Sequence, residues 1–161
     1  GLFRKLRRKN FPVSREILLR GLKETKWPGR LEVMAKNPLV VIDGAHNVDG
    51  ITRVTEFIKT LPYKRKRVIF ACSHDKDKQA MIEILDQVFD EIVFTAYTYK
   101  RHNDIQELFN LSKHPQKRMI TDVKETLDLV WNDPWELNLF IGSLYFVSEI
   151  RPLIQQKIKN N

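Results

Sequence analysis

The sequence predicts an α/β domain with an open, mostly parallel β-sheet, one antiparallel edge strand and helices on both faces. Three apolar runs without polar alternation, Val68–Cys72, Ile92–Thr95 and Leu137–Ile141, are typical of strands buried on both faces. Stretches with helical periodicity separate these runs, and regular alternation of strand and helix favours a parallel sheet. The pattern therefore indicates a Rossmann-like architecture.

A hairpin is expected before this alternation. Residues 30–35 alternate loosely as a strand between two turn signals, Pro28-Gly29 and Asn37-Pro38. The buried strand Leu39–Ile42 follows at once. We therefore expect residues 30–35 to form the antiparallel edge strand of the sheet.

Helices are expected both before and between the strands. Two candidates at the start, Gly1–Asn10 and Val13–Trp27, are separated by Pro12. Met119–Thr121 is a weaker strand prediction, and Pro152 is expected to kink the last helix. The later helices are indicated by apolar residues at helical spacing: Ile51, Val54, Ile58 and Leu61; Met81, Ile84, Leu85, Val88 and Phe89; Val123, Leu127, Val130 and Trp131; and Val147, Ile150 and Ile154.

Length and composition fit one globular domain. The chain has 161 residues, of which 42% are hydrophobic and 30% charged, so it can build a core of its own. No apolar run approaches the length of a membrane span, and we expect no membrane partner. The one cysteine, Cys72, excludes an internal disulfide and fits a reducing compartment. We expect a cytoplasmic protein.

The net charge of +8 fits a solvated lysine-rich surface, an anionic ligand or nucleic acid. Much of the excess lies in residues 4–9 and 64–67, interpreted as a terminal helix face and a loop before a strand. Neither run interleaves aromatic residues with the charges, as a platform for single-stranded nucleic acid does. We expect no nucleic-acid partner, and a basic α/β binding module for RNA or a protein partner stays as the alternative function.

Polar side chains follow four of the predicted strands at the point where each strand ends. The carboxyl ends of parallel strands meet at one edge of the sheet, where ligands bind in open α/β folds. Helix N-termini at that edge favour anions. The sequence therefore predicts one polar crevice, with candidate residues Asp43, His46, Asn47, Asp75, Arg101 and Ser143.

Each candidate also has a simpler interpretation. An isolated Asp43 after a strand more often caps the following turn, and either Asn47 or Asp49 fits the N-cap of the next helix. Ser143 also fits a helix cap, and a lone His46 is more often a hydrogen-bonded structural residue. Arg30, on the hairpin, fits an ordinary exposed position.

Several common motifs are missing from the sequence. It contains no G-x-G-x-x-G after the first strand, no glycine-rich phosphate loop ending in Lys-Ser or Lys-Thr, and no G-x-S-x-G elbow. No Cys/His cluster has metal-ligand spacing, and we expect no metal site in this chain.

Four motifs occur in order between residues 12 and 155: Trp27-Pro28-Gly29-Arg30-Leu31-Glu32, Asp43-Gly44-Ala45-His46-Asn47, Asp75-Lys76-Asp77 and Gly142-Ser143-Leu144-Tyr145-Phe146. Together they resemble the folylpolyglutamate synthase/dihydrofolate synthase group of Mur-type ligases, and the first two motifs form a highly specific pair. The resemblance is to the C-terminal domain only. It implies that residues 27–161 are this α/β domain and that residues 1–26 are a helical tail of a preceding domain or a linker. Because the chain starts with Gly rather than Met, we expect it to be a piece of a longer protein.

The resemblance implies an ATP-dependent amide ligase that adds L-glutamate to a folate or dihydropteroate. ATP phosphorylates the carboxylate of the acceptor to an acyl phosphate, and the amino group of L-glutamate attacks it and releases phosphate. The nucleotide is clamped between this domain and the protein's own N-terminal ATPase domain, which supplies the P-loop and the Mg²⁺ ligands. The isolated domain is expected to be inactive.

The resemblance also implies roles for particular residues. Arg30 and Asp43 would bind ATP, His46 and Asp43 would be catalytic, and His46 and Ser143 would contact glutamate; Asn47, Asp75 and Arg101 are additional candidates. A planar guanidinium suits a phosphate that gains charge during transfer, and a His beside a carboxylate can hold one tautomer.

Two departures from the family pattern, Ser73-His74 before Asp75 and Asp49 after Val48, leave open whether both the dihydrofolate and the polyglutamate activities are present.

Overall fold

The computed structural model describes residues 28–98 and 104–160. The helix candidates in residues 1–27 lie outside the described residues. The described elements are β1 (Glu32–Lys36), β2 (Leu39–Asp43), α1 (Val48–Lys59), β3 (Lys66–Phe70), α2 (Lys78–Asp86), β4 (Glu91–Thr95), α3 (Ile105–Leu111), β5 (Lys117–Ile120), α4 (Val123–Asn132), β6 (Leu137–Ile141) and α5 (Leu144–Asn160).

The six described strands form one sheet in the order β1-β2-β6-β3-β4-β5. β1 pairs with β2 antiparallel, and all other neighbours pair in parallel. The predicted fold class, including the antiparallel edge strand, is therefore confirmed. Since β6 is inserted between β2 and β3, the order of the strands reverses beside β6, and a crevice at the carboxyl ends is expected there.

Two hydrophobic clusters cover the two faces of the sheet. Ile51 of α1, Met81 of α2 and Leu108 of α3 pack on one face. Leu127 of α4 and Phe146 of α5 pack on the other. The helices that follow β2 and β3 thus lie on the opposite face from the helix that follows β6, which opens the crevice between their N-termini.

The structure shifts several predicted boundaries. β1 begins at Glu32, so Arg30 lies in the turn before the strand and not within it. β3 begins at Lys66, and the prediction that residues 64–67 form a loop is wrong for its last two residues. Arg67 is fully buried in β3 because Glu91 and Asp133 neutralise its guanidinium.

One helix is absent from the sequence prediction, and another contains the proline at which a kink stays a prediction. α3, with seven residues, was not predicted; only Leu108 of this helix is fully buried, which leaves a weak periodic signal. Pro152 lies inside α5, and the helix continues through it to Asn160. No helix within the described residues is long and apolar enough to cross a membrane.

The amino ends of the strands carry an ionic network around two buried residues, Arg67 and Glu91. Arg67 donates to Glu91 through Nε and to Asp133 through Nη2, the latter at 2.6 Å. Arg118 donates to the second oxygen of Glu91 at 2.6 Å. Burial acts to raise the pKa of Asp133, but hydrogen bonds from Arg67 and Trp135 outweigh it and leave this pKa lowered. This network lies at the edge of the sheet opposite the crevice.

Candidate functional site

A pocket of about 330 Å³ lies at the carboxyl edge of the sheet, at the reversal of strand order. It is formed by the residues that follow β2, β3 and β6, and it receives the first turn of α5. The side chains that line it are His46, Ser73, Asp75, Lys76, Ser143, Leu144 and Tyr145. The structure therefore brings together three of the predicted site residues, His46, Asp75 and Ser143.

Asp43 ends β2 beside this pocket but does not line it. Its Oδ1 accepts a hydrogen bond from Ala45 N and its Oδ2 accepts one from Leu31 N, both at 2.7 Å. Gly44 N also donates to Gly29 O at 2.7 Å. With 3% of its surface exposed, Asp43 joins the loop before β1 to the loop after β2. The simpler interpretation, a cap of the following turn, thus accounts for Oδ1 but not for Oδ2.

His46 has a defined tautomer. Its Nδ1 lies 2.8 Å from Gly44 O, and because a carbonyl oxygen can only accept, Nδ1 carries the proton and donates. Nε2 is then the ring atom left for a ligand, as an acceptor in the neutral ring or a donor in the charged ring. The partner that fixes the tautomer is a backbone carbonyl, whereas the sequence reasoning considered a carboxylate in this role.

Ser143 lies at the start of α5 and is 2% exposed. Its hydroxyl oxygen accepts from Tyr145 N at 3.2 Å, and its carbonyl accepts from Val147 N at 3.0 Å. It therefore caps the helix, as the simpler interpretation held, and it also lines the pocket. Because the hydroxyl oxygen is the acceptor in the cap, its proton can be donated to a ligand.

Asp75 and Lys76 form an exposed ion pair on the β3 side of the pocket, with Nζ and Oδ2 3.0 Å apart. The hydrogen bond from Lys76 lowers the pKa of the Asp75 carboxyl. Asp77 caps α2 by accepting from Ala80 N at 3.1 Å. The pocket thus holds a carboxylate that stays ionised near neutrality and an ammonium group beside it.

The remaining candidates lie elsewhere. Arg30 is exposed in the turn before β1 and does not line the pocket. Asn47 is the N-cap of α1, accepting from Gly50 N at 2.8 Å, as its simpler interpretation held. Arg101 lies outside the described residues.

Sequence reasoning did not single out Lys76, Ser73 or Tyr145 as pocket residues. Lys76 and Ser73 belong to the polar stretch that follows β3, so their position after a parallel strand was an available signal. Tyr145 is 41% exposed in the first turn of α5, and its place two residues after Ser143 was the equivalent signal at β6.

Within the described ranges, no group of three or more His, Cys, Asp or Glu residues is placed to hold a metal ion. The polar groups that line the pocket are one imidazole, one carboxylate, one ammonium and three hydroxyls. These groups suit an anionic or zwitterionic organic ligand, and we assign no metal to them.

The fold and the position of the pocket define a doubly wound α/β domain with its site at the switch point of the sheet. The sequence model of the family described as "Mur ligase, glutamate ligase domain" matches residues 29–136. This match spans more than half of the chain, and the chain belongs to that family.

Curated relatives and solved structures agree with this assignment. The chain is 33% identical over 142 residues to the dihydrofolate synthase/folylpolyglutamate synthase of Bacillus subtilis, covering 86% of this chain and 33% of that protein. It is 32% identical over 142 residues to the folylpolyglutamate synthase of Lacticaseibacillus casei, covering 88% and 33%. E. coli FolC in complex with ADP superposes with a TM-score of 0.84 at 23% identity, covering 96% of this chain and 38% of that structure. The chain spans about a third of the length of these relatives.

Proposed function

We propose that this chain is the C-terminal domain of an ATP-dependent amide ligase that adds L-glutamate to folates. The observation that supports this most directly is the pocket itself, which places His46, Asp75, Lys76 and Ser143 around one opening at the switch point. The relatives that cover most of this chain are named folylpolyglutamate synthases or dihydrofolate synthases. Residues 1–26 are then the tail of a preceding domain or a linker.

The proposed reaction has two steps. The terminal phosphoryl group of ATP passes to the carboxylate of the folate, forming an acyl phosphate and ADP. The amino group of L-glutamate then attacks the acyl carbon, forms the amide and releases phosphate. Both steps handle anions, which suits a site with helix N-termini, an imidazole and cationic side chains.

We assign the glutamate side of the reaction to the pocket. The Ser143 hydroxyl and the Lys76 ammonium are donors for a carboxylate of glutamate. Asp75, a carboxylate that lines the same pocket, is an acceptor for its amino group. In its charged form, His46 can donate from Nε2 to an oxygen of the transferred phosphoryl group or of glutamate, while Nδ1 donates to Gly44 O.

We assign Arg30 to the phosphates of ATP. Its guanidinium is exposed, and among the described residues it makes no ion pair or hydrogen bond. That Asp43 contacts the nucleotide directly stays a prediction; its hydrogen bonds to Leu31 N and Ala45 N support a role in placing the Arg30 turn. Mg²⁺ would enter with the nucleotide, on ligands from the N-terminal ATPase domain.

Phosphate release from ATP tests the proposal. The chain joined to its N-terminal ATPase domain should release phosphate only when Mg²⁺, L-glutamate and a folate or dihydropteroate are all present. The 161-residue chain alone should release none, since it lacks a phosphate loop. Sustained folate-dependent phosphate release by the pure chain would contradict the proposal that the chain needs the N-terminal ATPase domain. An absence of phosphate release by the two-domain protein would contradict the proposed activity.

A further inference from the structure

The turn that carries Arg30 has an unfavourable backbone conformation, which contacts with other parts of the domain must stabilise. Gly29 has a φ of 71° and Leu31 a φ of 42°, so both residues flanking Arg30 lie in the left-handed region. That region is rare for a residue with a side chain such as Leu31. The direction of Arg30 therefore depends on the contacts that hold its two neighbours.

Two carboxylates hold this turn through the backbone. Asp43 Oδ2 accepts from Leu31 N on one side of Arg30, and Glu32 Oε2 accepts from Gly29 N on the other, both at 2.7 Å. A Cβ built on Gly29 would lie 3.0 Å from Val147 Cγ1, so α5 packs directly on the turn. The turn is thus fixed from the β2 loop and from α5.

Arg151 of α5 holds the second carboxylate. Its Nε lies 3.2 Å from Oε1 and 3.1 Å from Oε2 of Glu32, and its Nη2 lies 2.9 Å from Oε1. The hydrogen bonds from Arg151 lower the pKa of Glu32, and the carboxylate that Arg151 holds is the one that accepts from Gly29 N. A planar guanidinium presents donors in a fixed plane to the two oxygens of a carboxylate, whereas an ammonium lacks this fixed geometry.

We infer that Arg151 is a positioning residue for ATP use, acting through Glu32 and the Gly29 amide to set the direction of Arg30. The inference rests on the proposed function, in which Arg30 contacts the phosphates. It also gives α5 two tasks. The first turn of the helix lines the pocket, and Arg151 in its third turn holds the turn that carries Arg30.

The competing explanation is an ordinary surface ion pair between Arg151 and Glu32. A double-mutant cycle in the two-domain protein separates the two explanations. If Arg151 acts through Arg30, then Arg151→Gln should lower kcat/KM for ATP about fivefold in the Arg30 background and hardly change it in an Arg30→Ala background. Arg151→Lys should restore only part of the loss. Lys157→Gln is the matched control, because it removes another α5 cation that is paired, to Asp128 at 2.7 Å.

Each result decides something. An equal loss of kcat/KM for ATP from Arg151→Gln in both backgrounds would overturn the inference. So would an unchanged kcat/KM for Arg151→Gln in the Arg30 background if Arg30→Ala itself is impaired. Either result would leave the proposed function standing. An unimpaired Arg30→Ala protein would instead overturn the phosphate role of Arg30. Hydrogen exchange gives a second readout: in Arg151→Gln the Gly29 amide should exchange faster while the amides of β6 keep their protection. An unchanged Gly29 amide would also overturn the inference.

Discussion

Arg30 is an exposed arginine whose backbone is more tightly held than its side chain. Its neighbours Gly29 and Leu31 donate to the carboxylates of Glu32 and Asp43, while its guanidinium makes no described contact. A side chain of this kind contributes little to folding, since even exposed ion pairs contribute only about 0–1 kcal/mol. A charge-assisted hydrogen bond to a phosphate contributes more, about 1.5–3 kcal/mol. Arg30 should therefore contribute little to the stability of the folded domain and much to the use of ATP by the enzyme.

Arg30→Ala in the two-domain protein should lower kcat/KM for ATP at least about tenfold, the factor that corresponds to about 1.4 kcal/mol. The melting temperature should hardly change. Steady-state kinetics and thermal unfolding measure the two effects. Arg53→Ala, at an exposed arginine of α1 outside the pocket, is the control. Unchanged ATP kinetics with a large drop in melting temperature would show that Arg30 is structural.

His46→Asn should lower kcat about a hundredfold, within the range observed when one positioned catalytic donor is removed. The asparagine amide can still donate to Gly44 O, but nothing replaces Nε2. His74→Asn is the matched control, because His74 is exposed and does not line the pocket. A kcat for His46→Asn equal to that of His74→Asn would remove His46 from the proposed site.

At the scale of elements, the Glu32–Arg151 pair joins the hairpin to α5 and should make stability depend on pH. The pKa of Glu32 is lowered below its ordinary value of 4.5, mainly by hydrogen bonds from Arg151. A carboxyl with a lowered pKa in the folded state contributes stability that is fully present above its unfolded pKa. That contribution is lost as the pH falls through the folded pKa.

Glu32→Gln should therefore lower the melting temperature at pH 7, and the difference from the unsubstituted protein should shrink as the pH falls below 4.5. Thermal unfolding between pH 7 and pH 3 measures it. Ser148→Ala, on the exposed side of α5, should show no such convergence. A gap between Glu32→Gln and the unsubstituted protein that stays constant down to pH 3 would contradict the linkage.

The elements also show why some of the site was predictable. Asp43, Asp75 and Ser143 follow apolar runs, and parallel strands carry whatever follows them to one edge, so their shared location could be read from the sequence. The contacts of Asp43 could not, because they depend on how closely the hairpin turn approaches the β2 loop. Likewise, the partner of Glu32 lies 119 positions away in α5, beyond the reach of any local pattern.

The sheet places the pocket and the main ionic network at opposite edges of the domain. The carboxyl edge carries the pocket, and the amino edge carries the buried pair of Arg67 and Glu91 with the partly exposed Asp133. The parallel direction of the strands was predictable from their unbroken apolar runs. The insertion of β6 between β2 and β3 was not, since strand order depends on pairing between distant segments. Arg67 was missed for a related reason: its charge suggested a loop, and only its distant partners make a buried position acceptable.

Arg67→Met should destabilise the protein by about 3–5 kcal/mol, the usual cost of breaking a buried ion pair by removing one partner. Glu91, at 3% exposure, would keep Arg118 but lose its second cation. Arg67→Met combined with Glu91→Leu should cost less than the sum of the two single changes, because no buried carboxylate is then left short of a partner. Lys78→Met is the control, since it breaks a partly exposed pair with Glu107 and should cost at most about 1 kcal/mol. Urea unfolding measures all four variants.

Because the network lies at the edge opposite the pocket, the KM for ATP of the folded Arg67→Met protein should stay unchanged. A cost for Arg67→Met no larger than that for Lys78→Met would show that the network is not what stabilises the amino edge of the sheet.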